Sequence, residues 1–177
     1  IYDGSDYSVD TIILSHRIPC TGFLFKQKKK LRKIIKEKVL ELNIAKEYIQ
    51  LIKKGFDFTD QIGKIHNAES LTTDADEPRS YAYCSDTLCS LDYLDSIRNV
   101  NLLYHESTFL QEMCSRAHET FHTTAQEAGH LAKVANVEQL LVGHFSARYK
   151  DINPLLIEAK SVFGNTQLAI EGKTFIV

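Results

Sequence analysis

The chain has 177 residues, 44% of them hydrophobic, enough to bury a real core and most simply one domain or a large part of one. No run of about 18 apolar residues occurs, so no helical membrane span is expected. The net charge of -2 is unevenly distributed. The four cysteines, Cys20, Cys84, Cys89 and Cys114, form no CxxC pair, which points to reduced thiols in the cytoplasm.

Ile1 to Asp10 is mixed and acidic, with no signal-peptide pattern and no initiator Met. The chain is therefore expected to begin inside a longer gene product. Tyr7 to Leu14 is β-branched and aromatic and reads as a strand. Pro19 enforces a turn after His16, and Thr21 to Lys26 reads as a second strand, leaving His16 at the tip between the two. From Lys26 to Lys54 the composition turns basic. Leu31, Ile34, Ile35, Val39 and Leu42 fall at helical spacing and predict one amphipathic helix, followed by a second over Ala45 to Lys53 that ends at Gly55. A charge run is usually a solvated helix face. A nearly uniform positive sign on a slightly acidic chain is also what a polyanion-binding arm requires.

Phe56 to Ser80 reads as loop, acidic toward its end, and His66 within it is given no role. Arg79 to Cys84 is a predicted strand that delivers Asp86, with a helix expected from about Cys89 to Ile97. Asp86 would serve as a metal ligand or as a helix cap. Val100 to Tyr104 is an apolar strand ending at His105 and Glu106, a pair that is costly to bury without partners. Gln111 to Thr120 reads as polar and flexible, with His118 at the surface. Thr123 or Thr124 should cap a helix over Ala125 to Ala135, with Glu127 completing a capping box and His130 structural or exposed. Gln139 to Val142 is a short buried strand, Gly143 ends it, and His144 stands at its mouth beside Ser146, Arg148 and Tyr149.

Polar groups thus recur at strand exits in an alternating strand–helix chain, which argues for an α/β sandwich with one site along one sheet edge. His16, Asp86 and His144 suit zinc, which takes imidazole nitrogen and carboxylate oxygen. His105, Glu106 and His122 would then support the ligands or transfer protons. Each residue taken singly also has a plain structural reading.

The order SHRIPCTGFLF, YCSDT, LLYHESTF and FHTTAQEAGHLAKVANVEQLLVGHFSARY resembles the C-terminal half of the ribonuclease Z family, the tRNA 3′-processing endonucleases of the metallo-β-lactamase superfamily. The resemblance covers essentially the whole chain and implies half of an αββα sandwich, with a tRNA-binding arm inserted at 26–55. His16 would ligate one zinc, Asp86 would bridge two, and His144 would ligate the other. His105 and Glu106 open the segment HEST, written HEAT in the family. His122 heads HTT, written HST. Both segments are implied to assist proton delivery to the leaving oxygen. Ser146 and Arg148 match the SARY loop beside the RNA 3′ end, and Lys28, Lys29, Lys30, Arg32 and Lys33 lie in the arm.

The family's HxHxDH motif is absent, and no H-x-H occurs anywhere in the chain. The arm also lacks the Gly-Pro pair often found at its middle, reading Asn43-Ile44-Ala45-Lys46 instead. The expectations are two zinc ions in the intact site, empty or partly filled in this chain alone, a precursor tRNA substrate, a homodimer and a cytoplasmic location. The alternatives are an RNA-binding module without catalysis and another phosphodiesterase of the same fold. The basic arm argues against the second.

Overall fold

Two long strands with alternating burial start the chain, and the rest of the main sheet is laid beside them. The computed structural model describes all 177 residues. Strand β1 (Tyr2–Asp3) pairs antiparallel with β2 (Tyr7–Leu14), and β2 with β3 (Cys20–Gln27). Ile12 and Leu14 point inward while Thr11 and Ile13 stay exposed, the period-two pattern of a sheet with one covered face. Strand β4 (Ser80–Cys84) joins antiparallel to β3. Strands β5 (Leu102–Glu106), β6 (Gln139–Gly143) and β7 (Thr166–Leu168) follow in parallel, so all seven strands lie in chain order.

The helices of this unit are α1 (Leu94–Ile97), α2 (Cys114–Glu119), α3 (Ala125–Val134) and α4 (Asn153–Val162). The core joins Ala128, Leu131, Ala132, Leu155 and Ala159 to Ile12, Leu24, Ala82, Leu103, Leu140 and Val142. Each fully buried Leu or Ile there contributes roughly 1.5–3 kcal/mol. Gly129 lets α3 and α4 approach closely, since a Cβ there would lie 2.9 Å from the Ala159 carbonyl oxygen. Aromatic side chains stack along the sheet, Phe25 on Tyr81 at 5.7 Å and Tyr83 on Tyr104 at 4.7 Å between ring centroids. No helix is long and apolar enough to cross a membrane.

The chain divides into two compact units, 1–27 with 79–177, and 28–78. The second unit holds helices Lys36–Glu41, Lys46–Lys53 and Ala68–Leu71. Ile44, Ile52, Phe58, Ala68 and Leu71 form its own small core. Two sequence expectations fail here. The long amphipathic helix is cut back to Lys36–Glu41, preceded by a coil over 28–32 and a short strand, Lys33–Ile34, paired with Thr72–Thr73. Five cations in the six residues from Lys28 to Lys33 repel along any helix face, and two β-branched isoleucines follow. The stretch after Phe56 is folded as well as acidic, because Phe58 and Leu71 are the apolar anchors that complete this core.

Two smaller differences arise from local hydrogen bonding and packing. The helix expected from Cys89 shrinks to Leu94–Ile97, since the Ser90 hydroxyl accepts from the Asp92 N–H at 3.1 Å and holds a turn. The stretch from Gln111 forms a 3₁₀ turn and then α2, anchored by the fully buried Ala117.

Candidate metal and acid–base site

The parallel strands and the β2–β3 turn deliver one residue after another to a single sheet edge. His16 follows β2, Asp86 follows β4, Glu106 ends β5, and His144 follows β6. His122 comes from the loop between α2 and α3. Ligand atoms of His16, Asp86 and His122 all lie within 4.8 Å of one another, as do those of Glu106, His122 and His144. His144 Nε2 is 3.2 Å from Asp86 Oδ1, which joins the two sets. The His122 ring sits 5.2 Å from His16 and 5.4 Å from His144, centroid to centroid.

Three non-glycine residues at this edge hold positive φ: Asp86 at 54°, Phe121 at 60° and His144 at 57°. Each costs on the order of 1–2 kcal/mol, and such strain collects where the backbone must aim a functional group. Each aims something here. Asp86 and His144 turn their side chains toward each other. Phe121 turns its carbonyl to accept from His16 Nδ1 at 3.1 Å, which leaves His16 Nε2 as the lone-pair nitrogen. Gly143 is required by close approach, since a Cβ there would fall 2.7 Å from the Tyr104 ring.

Glu106 is the hub. It is fully buried, and its Oε1 accepts from the Thr87 N–H at 2.6 Å and from His122 Nδ1 at 2.9 Å. Its Oε2 accepts from the Thr108 hydroxyl at 2.5 Å and the Thr123 N–H at 3.1 Å. With its one proton committed to Glu106, the Thr108 hydroxyl accepts from His144 Nδ1 at 2.9 Å. One carboxylate therefore orients two imidazoles, His122 directly and His144 through Thr108. Burial works to raise the Glu106 pKa, but bonds from His122, Thr108 and the Thr123 N–H outweigh it and hold the carboxyl below its ordinary range. The same bond from His122 to Glu106 raises the His122 pKa against partial burial, and Asp86 adds to the rise.

His105 does not join them. Strand alternation sends it to the helix-covered face, where its ring stacks on Tyr93 at 6.1 Å. Its Nδ1 donates to the Glu106 carbonyl at 2.8 Å, and its Nε2 accepts from the Tyr93 hydroxyl at 2.9 Å. Burial lowers its pKa, and both of its ring nitrogens are engaged on that face, apart from His122 and His144. Ser146 and Arg148 bracket the turn after His144. The Ser146 N–H donates to the Thr108 carbonyl at 3.1 Å, and Arg148 lies 4.8 Å above the Phe109 ring.

Lys28, Lys29, Lys30, Arg32 and Lys33 belong to the second unit. Arg32 pairs there with Asp74, and Lys33 with Asp76 at 2.7 Å. Sequence reading missed Thr87, Thr108, Phe121 and Thr123, whose contributions are made largely by backbone atoms or by one hydroxyl. Only the Thr-rich flanks of Glu106 and His122 hinted at them.

No family profile matches the chain. It is 45% identical over 183 residues to a ribonuclease Z of Cytophaga hutchinsonii, a match that takes in 99% of this chain and 58% of that protein. It is 47% identical over 171 residues to a ribonuclease Z of Phocaeicola vulgatus, covering 97% and 55%.

The chain is a homologue of ribonuclease Z.

It spans about half the length of the ribonuclease Z relatives it matches. Among solved structures, the metallo-β-lactamase fold protein YhfI of Bacillus subtilis superposes with a TM-score of 0.62 at 16% identity, over 97% of this chain and 50% of that one. Human tRNase Z, short form, superposes at 0.52 and 20%, over 96% and 42%. The fold is that of the metallo-β-lactamases, as the SHRIPC-to-SARY resemblance implies.

Proposed function

We propose that the intact protein is a zinc-dependent endoribonuclease that removes the 3′ trailer from precursor tRNA, and that this chain supplies one side of its active site. The observation that carries the reading is the convergence of His16, Asp86, His122 and His144 on one sheet edge, with Glu106 wired to two of them. The ribonuclease names of the relatives support an RNA substrate.

The residues fit a metal. Two imidazoles and a carboxylate, those of His16, His144 and Asp86, form a donor set that suits zinc, and His16 Nδ1 and His144 Nδ1 are each engaged by an oxygen, the usual way a ligating histidine is fixed. His16, Asp86 and His144 would hold metal through Nε2, carboxylate and Nε2. When bound, zinc lowers the pKa of water and neutralises charge on the phosphate.

The rest falls to the chain's own groups. Glu106 keeps a proton on His122 Nδ1, leaving Nε2 as the nitrogen that meets the substrate. As water adds to phosphorus and the P–O3′ bond breaks, His122 Nε2–H protonates the departing ribose oxygen. The products are a tRNA with a 3′-hydroxyl and a trailer with a 5′-phosphate. Ser146 and Arg148 face the RNA end, and Lys28, Lys29, Lys30, Arg32 and Lys33 contact the tRNA body. The intact protein works as a homodimer in the cytoplasm. By itself this chain, without an H-x-H ligand pair, holds zinc weakly and does not cleave RNA.

A general acid contributes about 10²–10⁴-fold to turnover. His122→Ala in the full-length enzyme should lose that factor on precursor tRNA while keeping its tRNA affinity. The loss should shrink on a nitrophenyl phosphodiester, whose leaving group needs no proton. Equal losses on the two substrates would remove the proton-donor role.

A further inference from the structure

A second donor cluster lies outside the site described above. Cys114 and His118 are one helical turn apart on α2 and so share a face, and Glu127 reaches them from the first turn of α3. Cys114 Sγ is 3.6 Å from His118 Nε2 and 3.8 Å from Glu127 Oε1, and His118 Nε2 is 2.5 Å from the same oxygen. All three ligand atoms lie within 4.8 Å of one another. Glu127 divides its labour, since Oε2 accepts from the Thr124 N–H at 2.9 Å in the capping box and Oε1 alone faces the cluster.

We infer that Cys114, His118 and Glu127 form a second transition-metal site, of zinc type, that staples α2 to the start of α3. The chemistry is one thiolate, one imidazole and one carboxylate, the donor set zinc takes. Zinc bond lengths of about 2.3 Å to sulfur and about 2.1 Å to nitrogen or oxygen give tetrahedral edges of roughly 3.6 Å from sulfur to either neighbour. Both sulfur distances already match. Only His118 and Glu127 must part, by about 0.9 Å, when the proton between them gives way to a metal. His118 has room to do so, with a half-exposed side chain, and that exposure leaves the fourth position open to water. Metal binding releases the thiol proton to solvent and leaves His118 neutral, with its remaining proton on Nδ1.

The place of the cluster gives it a consequence. The five residues between α2 and α3 include Phe121, whose carbonyl fixes His16, and His122 itself. A metal that clamps the two helices holds both ends of that loop.

Cobalt(II) titration of the full-length protein reads the site directly, because the first site offers only nitrogen and oxygen and cannot give a sulfur-to-cobalt charge-transfer band. We expect such a band to level off at the intensity of one thiolate-bound cobalt per chain, to vanish in Cys114→Ser, and to need at least about tenfold more cobalt in His118→Gln. It should persist in Asp86→Asn, and zinc should displace it. In the Asp86→Asn background zinc should also raise the melting temperature, and Cys114→Ser should abolish that rise. No thiolate band at saturating cobalt, or a band unchanged by Cys114→Ser, overturns the assignment. The partly exposed positions of Cys114 and His118 make both substitutions compatible with folding.

Discussion

Glu106 shows how much one buried carboxylate can organise. Its oxygens receive bonds from two backbone N–H groups, one hydroxyl and one imidazole. Glu106→Gln keeps the volume but turns an amide NH₂ toward donors that have nowhere else to go. Each unsatisfied buried donor costs about 1–3 kcal/mol, so this variant should unfold at measurably lower denaturant and lose the elevated His122 pKa in an NMR titration.

The Glu106–His122 pair also carries a pH signature in metal-free protein. Its folded histidine pKa is raised from 6.5, so that contribution is full below 6.5 and fades as pH climbs through the folded value. Its folded glutamate pKa is lowered from 4.5, so that contribution is full above 4.5 and fades as pH drops through the folded value. The two overlap from about 4.5 to 6.5, where His122→Ala should cost most stability in a pH series of denaturant melts. A uniform cost from pH 4 to 9 would show that the pair is not ionic. Ser107 points the other way. Its hydroxyl is buried without a partner, and Ser107→Ala should raise stability by up to about 1 kcal/mol in the same melts.

At the scale of elements, legibility followed the source of each element's stability. Strands β2 to β6 and helix α3 were readable because alternation, apolar runs and a local cap encode them. Thr124 accepts from the Glu127 N–H at 3.2 Å, and Glu127 returns the bond to Thr124. Thr124→Ala should therefore cost about 1 kcal/mol, with hydrogen exchange rising in the first turn of α3. The lysine-rich run was misread as one helix because apolar spacing outvoted charge repulsion, and because the strand partner at Thr72–Thr73 lies some forty residues away in sequence. The site was legible in its residue types and order, since strand exits could be located. Strand alternation carried through the last two residues of β5 sets His105 and Glu106 on opposite faces. The hub role of Glu106 was hidden, since half of its partners are backbone N–H groups that no side-chain pattern marks.

Across the whole molecule, charge is segregated within the second unit. Its 51 residues hold eleven Lys and Arg against nine Asp and Glu, and the acids cluster after Phe56. Arg32 and Lys33 are paired to Asp74 and Asp76, and Lys28, Lys29 and Lys30 are exposed. On this reading Lys28, Lys29 and Lys30 together changed to Ala should flatten the salt dependence of tRNA binding. Each lost phosphate contact lowers the slope of log K against log salt by somewhat under one. An unchanged slope in the triple variant would make the run a solvated face.

The central claim is that His16, Asp86, His122 and His144 form one metal-dependent phosphodiester site. Zinc content measured alongside precursor-tRNA cleavage, for full-length wild type and Asp86→Ala, tests it most directly. The wild type should hold about two zinc ions in that site and release a tRNA with a free 3′-hydroxyl. Asp86→Ala should lose zinc from it and cleave at least about 10²-fold more slowly, while binding tRNA as before. An Asp86→Ala protein that keeps its zinc and its cleavage rate would contradict the account.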